Sequence, residues 1–75
     1  MRIQDLMNLI AELPVGYRTV FNLYAIEGYN HKEIADTLGI NENTSKSQLS
    51  RARKLLQTRL VEIQNKELKD HSHGK

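Results

Sequence analysis

The stretch "NHKEIADTLGINENTSKSQLSRARKLL", residues 30–56, holds two helix starts and one helix stop close together. Asn30 can cap a helix, and Glu33 falls at the reciprocal capping-box position, three residues on. Gly39 can adopt the left-handed turn that closes a helix. The spacing predicts a short helix with Ile34, Ala35 and Leu38 facing inward. Asn41 is a second cap, so a new helix begins after the turn Gly39, Ile40, Asn41 and runs to about Gln64, where the sequence turns fully polar. A turn with so little slack forces the two helices to cross steeply, as in a helix-turn-helix unit. The small side chain of Ala35 would ease that approach.

Working outward, Ile3, Leu6, Met7, Ile10 and Leu13 recur at spacings of three and four, the period of a helix with one buried stripe. Pro14 stops that helix and suits the first turn of the next, where its missing N–H costs nothing. Tyr17, Val20, Phe21 and Tyr24 carry a second stripe as far as Gly28. No segment alternates with period two for long enough to make a strand, and there is no internal repeat. The fold class is therefore all-α: a four-helix domain with a helix-turn-helix, of winged-helix size but without a wing, over residues 1–64. The polar tail, residues 65–75, is expected to be disordered.

The chain has 75 residues, enough for one domain with one small core and too few for a buried catalytic cleft of ordinary size. It contains no cysteine, which excludes a disulfide frame and a thiolate zinc site. Its apolar runs fall far short of the about 20 residues needed to cross a bilayer, and the N-terminus lacks an apolar signal segment. A soluble, cytoplasmic protein without a membrane partner is expected. Asp70, His71 and His73 have metal-like spacing but sit on the polar tail, where they form no closed site. No metal and no other cofactor is expected. Tyr17 and Tyr24 belong to the helical stripe, and no base, nucleophile and orienting group fall together, so the chain reads as a non-enzyme.

The net charge of +2 hides a split. Residues 1–45 carry three basic and six acidic side chains, whereas residues 46–75 carry eight and three. At 100° per residue, Leu49, Ala52, Leu56, Leu60 and Ile63 of the last helix share one side. Asn43, Ser47, Ser50, Arg51 and Lys54 share the other, with Lys46 and Arg53 at the flanks. From Lys46 to Arg59 there are five basic residues and no acidic one, so the counter-charge must come from solvent ions or a polyanion. Short polar side chains on a capped front end, with arginines behind them, suit entry into a DNA major groove. Taken alone, a basic amphipathic helix is as often a solvated face; the steep junction beside it favours DNA.

Other positions play supporting parts. Arg18 is expected to pair with Glu33 and so fix the second and third helices, in preference to touching a phosphate. His31 and Lys32 begin the third helix, where outward N–H groups favour a phosphate, and both are candidate DNA-backbone contacts. Lys54 and Arg59 lie farther from the front end.

Residues 13–56, "LPVGYRTVFNLYAIEGYNHKEIADTLGINENTSKSQLSRARKLL", resemble region four of bacterial RNA polymerase sigma factors of the extracytoplasmic-function type. The resemblance rests on Leu13-Pro14, on Arg18, Val20, Phe21 and Leu23, on Glu33-Ile34-Ala35 and on Leu38-Gly39-Ile40. Above all it rests on Lys46-Ser47 followed by Leu49-Ser50-Arg51-Ala52-Arg53. It implies a domain that reads double-stranded promoter DNA near the minus 35 element and docks on the flap of the polymerase β subunit. Carried over by position, Lys46, Ser47, Ser50 and Arg51 would face bases, with Asn43 and Thr44 at the entrance. His31, Lys32, Arg53 and Lys54 would hold the DNA backbone, and Arg18, Glu33, Ala35, Gly39 and Leu49 would build the helix-turn-helix. Anti-sigma proteins in such families occlude the same module.

Two departures stand out. The family commonly has an apolar residue where this chain has Ser45; that position faces inward, so its hydroxyl needs a partner, and the carbonyl one turn back is the expected one. The companion sigma domain is absent from these residues, so the chain reads as an excised C-terminal domain, monomeric in isolation. Two rival readings remain at this point. One is the output domain of a response-regulator or quorum-type transcription regulator, which shares a four-helix plan and dimerises through its last helix. The other is a protein-interaction module whose basic helix binds an acidic partner and no DNA.

Overall fold

The computed structural model describes residues 2–73, and side-chain environments for residues 2–66. Four α-helices follow one another: α1 (Ile3–Ala11), α2 (Val15–Phe21), α3 (His31–Leu38) and α4 (Glu42–His73). A π-helical segment, Asn22–Ile26, continues α2 toward the turn before α3. No strand occurs among the described residues, and the chain is all-α as the periodicity predicts.

Asp5 accepts a hydrogen bond from the Arg2 N–H at 3.2 Å and so holds the start of α1. The buried side of this helix differs from the expected stripe. Leu9, Ile10 and Leu13 are buried, whereas Ile3 is 83% exposed, Leu6 39% and Met7 48%. Spacing identifies a face but not how far a neighbour reaches along it, and the packed end of α1 is its C-terminal one. Pro14 stands one position earlier than expected: it is the N-cap of α2, with φ −51° and ψ 145°, and its carbonyl accepts from Arg18 N–H at 2.9 Å.

The π-helical segment has no counterpart in the sequence reading. Glu27 N–H donates to Asn22 carbonyl at 3.0 Å and Tyr29 N–H to Leu23 carbonyl at 2.8 Å, each reaching further back than an α-helical bond. Gly28, at φ +78°, then reverses the chain.

The capping box of α3 forms as expected. Asn30 Oδ1 accepts from Glu33 N–H at 2.8 Å, and Glu33 Oε1 accepts from Asn30 N–H at 3.0 Å. Gly39, at φ +69°, closes the helix, and Ile40 N–H donates to Ala35 carbonyl at 3.1 Å. Ile34 and Ala35 are buried, but Leu38 is 37% exposed, because the last residue before the left-handed turn leaves the packed face. Asn41 Oδ1 then accepts from Thr44 N–H at 2.7 Å and starts α4.

Two groups of buried side chains lie along α4. Val20, Ile34 and Leu49 form one, flanked by Tyr24, Tyr29 and Ile40. Leu9, Ile10, Leu13, Ala52 and Leu56 form the other, flanked by Tyr17, Leu60 and Ile63, and Phe21 packs against both. The inward face of α4 is thus the expected one. Leu55 and Val61, off that stripe, are exposed. The helix continues past the expected end at Gln64 to His73, since no Gly or Pro interrupts residues 65–73 and lysine, glutamate and leucine there favour helix.

Candidate nucleic-acid interface

The cap at Asn41 starts α4, and the outward side chains of its first turns are open to solvent. Asn43, Lys46, Ser47, Ser50, Arg51, Arg53 and Lys54 are exposed and Thr44 is partly so. Among the described residues, none of Lys46, Arg51, Arg53 and Lys54 enters an ion pair, and the two ion pairs present both belong to Arg59, with Glu12 at 3.4 Å and Glu62 at 3.1 Å. Those pairs are about half exposed at each partner, so they contribute little to stability and mainly remove Arg59 from the unpaired set.

The outward side chains divide between two shallow hollows. Asn41, Asn43, Thr44, Ser47, Gln48 and Arg51 line one. Lys46, Ser50, Arg53 and Lys54 line the other, together with His31, Leu49 and Gln57. The first is polar with a single cation; the second gathers three cations beside the start of α3. Lys32 is exposed but lines neither. Glu42, at the first position of α4, is exposed too and adds a negative charge at the front end, a feature to which the charge count gave no weight.

His31 is half-buried and engaged on two sides. Its ring stacks on Tyr24, with centroids 5.0 Å apart and planes inclined by 23°, and its Nδ1 lies 2.9 Å from Ser45 Oγ. Ser45 is 0% exposed, so inward as expected, but its partner is this imidazole rather than the carbonyl one turn back. A histidine on the facing helix can meet the hydroxyl without the bend that back-bonding imposes. Arg53 sits over the same Tyr24 ring, its guanidinium carbon 5.6 Å from the centroid, a cation–π contact worth about 0.5–1 kcal/mol at an exposed site. The π-helical segment carries Tyr24 and thereby gives one aromatic ring contact with α3 and α4 together.

The structural residues behave less uniformly. Ala35 and Leu49 are buried and Gly39 makes the turn. The expected Arg18–Glu33 pair does not form. Glu33 is committed to its capping box, and Arg18 Nη1 donates to Ala11 carbonyl at 3.0 Å, satisfying an orphan carbonyl at the end of α1. Gln48 Oε1 and Asn22 Oδ1 are buried without a hydrogen-bond partner. Sequence reasoning passed over Tyr24, Gln48 and Gln57 because each looks like a core or spacer residue until the helices are assembled.

Ser45 and His31 do not make a hydrolytic pair. A fully buried hydroxyl cannot reach a substrate. Among the described residues no three His, Cys, Asp or Glu side chains gather to hold a metal; the Asp70, His71 and His73 side chains lie outside the described residues. No helix among the described residues is long and apolar enough to cross a membrane.

Comparison with known proteins adds to this geometry. A family model described as Sigma-70, region 4 matches residues 3–56, which includes α1 to α3 and the front of α4. RNA polymerase sigma factor SigV of Bacillus subtilis (strain 168) is 40% identical over 57 residues, covering 76% of this chain and 34% of that protein. The chain therefore spans about a third of the length of the curated relative it matches. No solved structure matches.

Proposed function

The chain belongs to the sigma-70 region 4 family, and on that footing we propose that it binds double-stranded promoter DNA near the minus 35 element as part of a sigma factor in transcription initiation. One observation carries this reading: a capped helix end whose exposed donors and unpaired cations run from Asn43 to Lys54 without an intervening carboxylate. Asn43, Thr44, Ser47 and Arg51 approach base edges from one hollow, and Lys46 and Ser50 from the other. Arg53, Lys54, His31 and Lys32 hold the phosphates on the α3 side. This division follows from chemistry: base reading uses short polar groups and bidentate arginine, while phosphate holding needs charge and N–H donors.

Residues 1–64 form the binding unit, and among the described side chains Ile63 is the last to pack against it. The unit carries out no reaction and works in the cytoplasm as part of a complex with RNA polymerase, docking on the β-subunit flap. An anti-sigma protein would act by covering the same basic face. In isolation the chain is monomeric. The resemblance noted in the sequence and the SigV relationship support the polymerase role.

Selection of bound duplexes from a random pool tests the proposal. The wild-type chain should enrich a single element, and chains with Lys46→Ala or Arg51→Ala should enrich it less. Recovery of duplexes with no shared element, by the chain alone and by the chain with core polymerase, would remove the DNA-reading role.

A further inference from the structure

The contact between His31 and Ser45 joins α3 to α4 and has a chemical direction. Ser45 is fully buried, so its hydroxyl proton cannot go to water. Two other helical hydroxyls donate to the carbonyl four residues back: Thr19 to Val15 at 2.7 Å, and Thr58 to Lys54 at 3.0 Å. Ser45 makes no such bond among the described residues, and His31 Nδ1 at 2.9 Å is its one partner. A buried hydroxyl that fails to donate is costly, so the arrangement that satisfies Ser45 has its proton pointing at an unprotonated Nδ1. In neutral imidazole the hydrogen then sits on Nε2. Among the described residues that atom has no partner and is not one of the buried unpaired atoms, so it meets solvent from a ring that lines one hollow with Lys46, Ser50 and Arg53.

We propose that Ser45 and Tyr24 are positioning residues for phosphate binding: Ser45 fixes His31 as its Nε2–H tautomer, and Tyr24 holds both the imidazole plane and the Arg53 guanidinium toward the DNA backbone. This rests on the DNA-binding reading given above. His31 then binds phosphate as a neutral donor, beside a cationic one. The difference is measurable, because a cation that meets a phosphate releases a condensed counterion and a neutral donor does not. Removing His31 should lower affinity without changing the salt slope, whereas removing Arg53 should reduce that slope by about one.

The test uses the 75-residue chain. Long-range 15N–1H correlation spectra of His31 should show the hydrogen on Nε2, and Ser45→Val should mix the two tautomers. Affinity for a labelled duplex recovered from the selection should fall about 3- to 10-fold in Ser45→Val and in His31→Ala, a range expected for one net hydrogen bond. The double variant should lose no more than His31→Ala alone, and the salt slope should hold in all three. Ser45→Thr retains the hydroxyl and should retain both tautomer and affinity, which covers the case of a Val variant that does not fold.

A hydrogen on Nδ1 in the wild-type spectrum would overturn the positioning role, as would a reduced salt slope in His31→Ala. Full affinity in a folded Ser45→Val chain would do the same. A chain with the Nε2–H pattern that binds no duplex would instead defeat the DNA reading on which the phosphate role depends.

Discussion

Arg51 and Arg53 are two positions apart on α4 and line different hollows, so equal charges should give unequal losses. Arg51 lies among Asn43, Thr44 and Ser47, where a bidentate contact to a base edge is worth about 1–3 kcal/mol of discrimination. Arg51→Ala should therefore weaken binding to the selected duplex by about tenfold or more and flatten the preference over a scrambled one. Arg53→Ala should weaken both duplexes alike. Parallel titrations of the two duplexes decide the matter, and matching losses for both variants on both duplexes would contradict the assignment. Glu42 is the converse case. Its carboxylate favours the helix start by about 0.3–1 kcal/mol but is exposed at the end of α4 proposed to meet DNA. Glu42→Gln should lower the unfolding free energy by that small amount and raise duplex affinity severalfold at low salt, by removing a repulsion. Unchanged affinity at low salt would place Glu42 outside the footprint.

At the scale of elements, the α3–α4 junction depends on two local devices, the left-handed Gly39 and the Asn41 cap. Gly39→Ala introduces a Cβ at φ +69°, where no heavy atom crowds it, so its cost is purely conformational and about 1 kcal/mol or somewhat more. Asn41→Ala removes the 2.7 Å bond to Thr44 N–H and should cost about 0.5–2 kcal/mol. Urea unfolding of both variants checks these figures, and a change below about 0.3 kcal/mol in either would show that the junction is held by packing instead. These devices were legible beforehand because each is written within a few residues: a cap, its reciprocal glutamate, and a glycine. The inward stripe of α4 was legible for the same reason. The π-helical segment was not, because no residue in "NLYAI" demands the longer hydrogen bonds. Arg18's acceptor, Ala11 carbonyl, was equally hidden, since a backbone oxygen leaves no trace in the side-chain pattern. Ser45 lay between these cases. Its burial followed from periodicity and its need for a partner from hydrogen-bond accounting, but which partner depended on where α3 places His31.

For the whole molecule the decisive feature is how charge is distributed along the fold. The acidic half supplies α1, α2 and α3, which cover the apolar side of α4, and the basic residues ride on the uncovered side. The chain extends 54 Å along its longest axis and only 19 and 16 Å across, so a small bundle carries one long charged helix. Apolar contact holds that bundle together and is indifferent to moderate salt, whereas binding to a polyanion through Lys46, Arg51, Arg53 and Lys54 is not. About three to six phosphate contacts would give a salt slope of roughly −3 to −5, a loss of about sixtyfold to a thousandfold in duplex affinity between about 50 and 200 mM salt. Over the same interval the unfolding midpoint should hardly move, because the two ion pairs of Arg59 are exposed and contribute little. Affinity and stability measured side by side across that range therefore separate surface electrostatics from core packing. A duplex affinity that stayed flat with salt would mean that the unpaired cations do not meet phosphates, and the basic face would then have to serve a partner recognised by shape and apolar contact.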